Sequence, residues 1–215
     1  MELTKYTQEM FNALQIVGGY KICPTGDYSE VKSFPLRCKF DENCKFGTFS
    51  SFNMFCSFKN GCNFDRACSF GKSIIFGKYC NFEEDCSFDI NCLFYSSCNF
   101  NSGCSFGYFC KFHDDCSFGC RCSFGEDCCF GYNCVCEFGT FINLVSCGGF
   151  GSRERTTYFF KLTNGDIAVR CGCFTGSIDE WEMQVCKTHK NTYLETAYLA
   201  LIPAVKAQFK IIDQK

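Results

Sequence analysis

Between residues 38 and 134, Cys stands at every sixth position except Ser50 and Ile74. Phe stands at every sixth position from 40 to 130 without exception. A helix turns about 600° over six residues, so such a stripe would smear around its surface. In a strand, residues two apart project to the same side. Each hexad therefore reads as a short strand with Cys and Phe on one face, followed by a corner. The residue after Phe is Gly at 47, 71, 77, 107, 119, 125 and 131, and Asp or Asn at 41, 53, 65, 89 and 101. These types tolerate positive φ, which predicts that this first corner residue carries the turn.

The outward residue between Cys and Phe has a longer period. Sorted by eighteen, one class is Ser51, Ser69, Ser87, Ser105 and Ser123. A second runs Lys45, Asn63, Asn81, Asn99, Ser117, and a third Lys39, Ser57, Ile75, Leu93, Lys111, Cys129. Like residues every eighteen predict three hexads per coil, with parallel strands stacked ~4.8 Å apart. The Ser and Asn columns are then expected to hydrogen-bond along the stack. Phe fills the interior, and Cys is its small, unbranched partner.

Written as Phe-Gly-x-x-Cys-x, as in "FGKYCN" (residues 76–81), the pattern resembles the hexapeptide-repeat family. That resemblance implies a mainly β fold, a left-handed parallel β-helix with three hexads per triangular coil. Phe in place of the family's usual aliphatic residue implies a wider core.

The 23 Cys are an odd number and follow the repeat. The opening "MELTKYTQEM" lacks a basic-then-apolar leader pattern. Both predict reduced thiols and a cytoplasmic setting. Thiols lining a dry Phe core leave no open coordination position, so no metal or other cofactor is expected. No apolar run reaches the ~18 residues of a membrane span. A net charge of −2, with no basic stripe, argues against a nucleic-acid partner.

Leu3, Tyr6, Met10, Phe11 and Leu14 have helical spacing, which predicts an amphipathic helix over residues 3–15 capping the first coil. Tyr28 and Phe34 are in phase with Phe40, so coiling is expected from about residue 28. Beyond residue 134 the phase is lost. "RTTYFFKL" and "DIAVRCGCF" flank Asn164-Gly165, a hairpin signal. Ser177 and Glu180 form a capping box for a helix to about Lys187. A second helix, near 191–209, is expected to kink or split at Pro203. The organisation is an N-terminal helix and cap (1–27), a hexapeptide-repeat β-helix (28–146) and a C-terminal ββαα module (147–215).

The stretch "GSRERTTYFFKL…IAVRCGCFTGSIDEW…KTH" (residues 151–189), behind Cys-x-Phe-Gly repeats, resembles a family of phage and prophage proteins. The resemblance implies a phage-encoded protein in the cytoplasm of a bacterial host. It supplies no activity.

No catalytic residue is assigned. Hexapeptide-repeat acyltransferases use a His on a loop leaving a coil, whereas these hexads run without insertion. His113 reads as a solvated corner residue and His189 as a helix end. The Cys171-Gly172-Cys173 pair reads as core, and the acidic corners Glu83–Asp85 and Asp114–Asp115 as solvated turns. What exceeds background is one corner carrying Met54, Phe55, Ile90, Tyr108 and Phe109, beside the face bearing Ile75 and Leu93. These seven are the candidate partner-binding residues. Terminal helices or self-association, commonly trimeric in this fold, are the competing uses of that edge. The expected function is a non-enzymatic counter-defence inhibitor, for example an anti-CRISPR, that occupies a host protein. The alternatives are an acyltransferase, a sponge for a nucleotide signal, and a virion component.

Overall fold

The computed structural model describes residues 2–125, 127–150 and 155–212. The chain divides into two compact units, residues 1–137 and 138–215.

The first unit is a three-sided parallel β-solenoid. Two-residue strands recur every six residues, from Lys45–Phe46 to Cys129–Phe130. Each pairs in register with the strands eighteen residues before and after. Phe76 lies between Phe58 and Phe94, Asn81 between Asn63 and Asn99, and Ser87 between Ser69 and Ser105. The Phe rings fill the interior as three stacked columns. Phe76 and Phe94 lie 4.8 Å apart at 1°, following the strand spacing. Between columns the rings meet edge to face: Phe76 and Phe82 are 4.9 Å apart at 88°. Both arrangements suit the ring quadrupole, at about 0.5–1.5 kcal/mol per pair beyond burial.

The corners correct the sequence reading. The residue after Phe does not carry the positive φ; the third corner residue does, as at Asn43 (57°), Ala67 (54°), Asp85 (61°) and Asn133 (56°). Small and Asx residues follow Phe for other reasons. At Gly77 a Cβ would lie 2.6 Å from the Lys59 carbonyl carbon and 2.7 Å from the Asn60 nitrogen, one coil below. Close stacking therefore selects Gly there. Where Asn53, Asp65 or Asp89 stands instead, its Oδ1 accepts the next residue's N–H at 2.8 Å.

The thiols have a specific role. The carbonyl of the first corner residue points toward the core, and Cys donates to it. Cys98 Sγ donates to Tyr95 O in its own corner (3.0 Å) and to Gly77 O one coil below (3.3 Å). Cys68 does the same with Asp65 O (3.0 Å) and Gly47 O (3.4 Å). Ser50, which breaks the Cys pattern, keeps the donor: its fully buried Oγ lies 2.7 Å from Gly47 O. All 23 thiols are free.

On the outer faces the Asn column is bonded along the stack. Asn99 Nδ2 donates to Asn81 Oδ1, and Asn81 Nδ2 to Asn63 Oδ1, both at 2.9 Å. The Ser column is in register, but among the described residues its shorter hydroxyls form no such ladder.

The N-terminal cap also departs from expectation. The helix spans only Gln8–Asn12, not 3–15. Thr7 caps it, and Lys21 Nζ donates to its last carbonyls at Phe11 and Asn12 and to Leu14 O just beyond. The core end is closed by rings: Tyr6 stacks on Tyr28 at 4.5 Å, and Phe11 meets Phe34 edge to face at 5.2 Å. Coiling starts earlier than residue 28, because Tyr20–Cys23 already pairs in parallel with Cys38–Phe40.

The second unit is an antiparallel meander of Gly139–Phe150, Arg155–Leu162, Ile167–Cys171 and Phe174–Ser177, followed by helices Ile178–Thr188 and Tyr193–Ile212. It has two strands more than the ββαα reading, one on each side of the expected hairpin. Residues 151–154, which open the quoted C-terminal motif, and residues 213–215 lie outside the described residues. The hairpin turns as expected, with Gly165 at φ 93° donating to Leu162 O. The capping box is complete, and the second helix stays continuous through Pro203. Phe159, Val169, Trp181, Val185, Val205 and Phe209 are among the residues of its core.

Two outcomes follow for the thiols. Cys98→Ala takes the thiol from Gly77 O and leaves Tyr95 O only the longer contact to Cys116 Sγ (3.7 Å); it should cost about 2 kcal/mol, whereas Cys98→Ser should cost less than half of that in denaturant unfolding. Equal losses would refute the donor role. The Cys23 thiol beside it, together with burial, pushes the Cys38 thiol up to about 12. Stacked neighbours shift other core thiols the opposite way, as at Cys80 and Cys116, but burial keeps reagent from all of them, so brief alkylation of the native protein should label Cys120, Cys129 and Cys173, the exposed ones, before any core Cys, as read by peptide mass spectrometry.

Candidate functional site

The apolar edge is built on one solenoid corner, between the Ser face and the face carrying Ile75 and Leu93. Met54, Ile90 and Tyr108 occupy the second position of that corner in successive coils, with Lys72 between Met54 and Ile90. Phe55 and Phe109 occupy the third position. Backbone bonds fix the corner's rise: Phe55 N–H donates to Lys72 O (3.1 Å), Ser73 N–H to Ile90 O (3.1 Å) and Asn91 N–H to Tyr108 O (2.9 Å). Ile75 and Leu93 are direct neighbours in adjacent strands.

The seven expected residues thus share one edge and its adjoining face. Phe55, Ile75, Tyr108 and Phe109 are exposed, and Met54, Ile90 and Leu93 half-buried. Leu36, also exposed, extends the second-position column by one coil. It was not identified from the sequence because it precedes the regular repeat. Lys72 and Ser73 interrupt the patch, and Asn91 Nδ2 bonds to Ser73 Oγ (3.3 Å) between the two Phe rings. The short N-terminal helix buries its Phe11 at the end of the core, away from this edge. The C-terminal helices bury Ile178, Trp181, Val185, Leu201 and Val205 in their own unit.

The backbone makes these rings unusual. Phe55 has φ 62° and Phe109 φ 60°. The left-handed region costs an L-residue roughly 1–2 kcal/mol, and Asn or Gly meets that demand best. Phe49 (φ 58°) and Tyr79 (φ 60°) hold equivalent positions on the other two corners and are exposed as well. An exposed ring at such a position contributes little burial to offset the strain.

The remaining candidates have structural partners. His113 is exposed, and its ring stacks on Tyr95 one coil below at 5.0 Å and 11°. The acidic corners are bonded within the stack. Arg66 pairs with Glu84 at 3.3 Å, Asn101 donates to Glu83 at 2.7 Å, and the Tyr132 N–H donates to Asp114 at 2.8 Å. Among the described residues no cluster of three His, Cys, Asp or Glu could hold a metal ion, and no helix is long and apolar enough to cross a membrane. Of the pair expected in the core, Cys171 is half-buried and packs against the core of the second unit, whereas Cys173 is exposed; with His189 both line a cavity in that unit.

No protein-family model, curated protein or solved structure matches the chain.

Phe109→Asn should therefore raise stability by about 1 kcal/mol, visible as a higher thermal midpoint. Phe49→Asn, on a different corner, should do the same. A loss of stability in both would mean that the rings support the fold rather than a surface role.

Proposed function

We propose that the chain is a non-enzymatic binding protein that occupies a protein partner through the apolar edge. The observation that carries this reading is the placement of exposed Phe rings on left-handed corner positions, where they strain the backbone and bury little. Aromatic anchors dominate protein interfaces because they gain large contact area at low entropic cost. The edge also has a rigid backbone, so binding costs little ordering.

In its narrower form the proposal is a phage-encoded inhibitor acting on a host protein in the bacterial cytoplasm; the resemblance of the repeats and the C-terminal motif supports the phage origin and the bacterial setting, and the apolar edge supports the binding role. An acyltransferase reading has less support. The hexads run without a loop that would form a cleft, and His113 is stacked on Tyr95 at an exposed corner.

The test compares capture from host lysate by the unaltered chain and by the double variant Ile90→Asp/Phe109→Asp. Both sites are surface positions, so the variant should keep its thermal midpoint within a few degrees and its sedimentation coefficient. Loss of the captured protein by tenfold or more supports the edge as the binding site. Undiminished capture by the folded variant rejects it. A shift from trimer to monomer in the variant, with no captured protein, assigns the edge to self-association instead.

A further inference from the structure

The second unit contains a cavity of about 310 Å³, lined by Cys171, Cys173, Phe174, Trp181, Gln184, Val185, Thr188, His189 and Tyr198. At ~30 Å³ per water this is room for roughly ten waters, within the lower range of small-molecule sites. One face of the helix Ile178–Thr188 forms a wall, because residues 181, 184, 185 and 188 fall at i, i+3, i+4 and i+7. The complete capping box at Ser177 and Glu180 fixes the turn that carries Trp181. Opposite, Gly172 at φ 62° opens the two-residue turn Gly172-Cys173 that joins Cys171 to Phe174.

The walls are rings held by other rings. Trp181 meets Phe159 at 5.3 Å and 80° and Tyr198 at 5.7 Å and 81°. The His189 ring lies 5.4 Å from Tyr198 at 35°. Thr157, fully buried, donates its hydroxyl to Cys171 Sγ at 3.1 Å, which holds that sulfur at the wall. Burial, and the Cys171 thiol beside it, push the Tyr198 phenol up. Gln184 and Thr188 are exposed, and Gln184 Nε2 donates to Thr188 Oγ1 at 2.9 Å, which leaves the Gln184 carbonyl oxygen as an acceptor at the rim. None of the nine lining residues carries a carboxylate, ammonium or guanidinium group.

From these walls we infer that the second unit binds an uncharged, flat aromatic molecule of one or two fused rings carrying an N–H edge. Three partly exposed rings, Phe174, His189 and Tyr198, with the buried Trp181 behind them and two polarisable sulfurs, favour a π-face. The absence of charge among the lining residues disfavours an ionic ligand, which would lose its hydration without a partner. The Gln184 and Thr188 pair at the mouth supplies the orienting hydrogen bonds.

Trp181 is the single Trp of the chain, so its fluorescence reports this cavity alone. The full-length protein is titrated, with excitation at 295 nm, with adenine, with benzoate and with cyclohexanol. The expected result is saturable quenching by adenine with a dissociation constant below about 1 mM, and no saturation by the other two. Thr188→Phe, a rim substitution that narrows the mouth, should weaken adenine at least tenfold while leaving the thermal midpoint and the unliganded spectrum unchanged. Linear quenching by adenine overturns the site. So does adenine binding that survives Thr188→Phe. Saturation by benzoate or cyclohexanol as tight as by adenine overturns the ligand class.

Discussion

A carbonyl turned inward at a corner of a dry aromatic core has to find a donor, and the solenoid depends on that requirement being met at corner after corner. The strand amides cannot supply it, because they are spent on the coils above and below. Phe offers no donor either. A thiol is small enough to stand beside a Phe column, apolar enough to be buried, and able to donate. The Cys98 sulfur reaches two such carbonyls, one in its own coil and one beneath. Ser50 bonds Gly47 O from an equivalent slot, which separates the donor requirement from any need for sulfur chemistry.

With the interior and the backbone satisfied by one repeated device, the outward positions of the solenoid are released from the fold. The Asn column uses its freedom for a side-chain ladder. Acidic corners use theirs for bonds to the neighbouring coil. The corner bearing Met54, Ile90 and Tyr108 has the Asn91–Ser73 bond but is otherwise largely apolar. Its side chains stand at heights fixed by backbone bonds, and its rings at 55 and 109 face solvent. The second unit follows different rules. Its core is assembled from helix stripes on a meander, and Gln184 and Thr188 add polar groups to the lining of its cavity.

Much of the solenoid is legible in the sequence, because a period of six with a superperiod of eighteen admits only one stacking of short strands. The register pairs Asn81 with Asn63 and Asn99, and Ser87 with Ser69 and Ser105, as the superperiod requires. The corner chemistry was less legible. Gly after Phe suggested positive φ, but Gly77 is there for the backbone beneath it, a contact between residues eighteen apart that local propensity does not encode. Residues 3–15 show helical spacing, yet only Gln8–Asn12 is helical. Tyr6 is used to stack on Tyr28, and Lys5 before it forms a parallel β-bridge with Asp27. The strand Gly139–Phe150 was hidden because its register shifts at Phe141/Asn143 and Cys147/Phe150 break the alternation that marks a strand. The edge residues were legible as a group; the αL strain that distinguishes Phe55 and Phe109 was not, because the positive φ was assigned two residues too early.

That reassignment changes what the edge means. If the first corner residue carried the turn, an aromatic ring at the third would be an ordinary exposed side chain, and scattered exposed hydrophobic residues need no explanation. With the third residue at φ near 60°, the same ring occupies the position least suited to it. Asn43, Asn91 and Asn133 show the residue that the backbone alone would choose. Four corner positions hold Phe or Tyr instead, and two of the four fall on the one edge where the second-position column is also apolar. Fold stability explains neither the choice nor the clustering. A partner surface that receives the rings explains both, since the burial missing in the free chain is then supplied on binding.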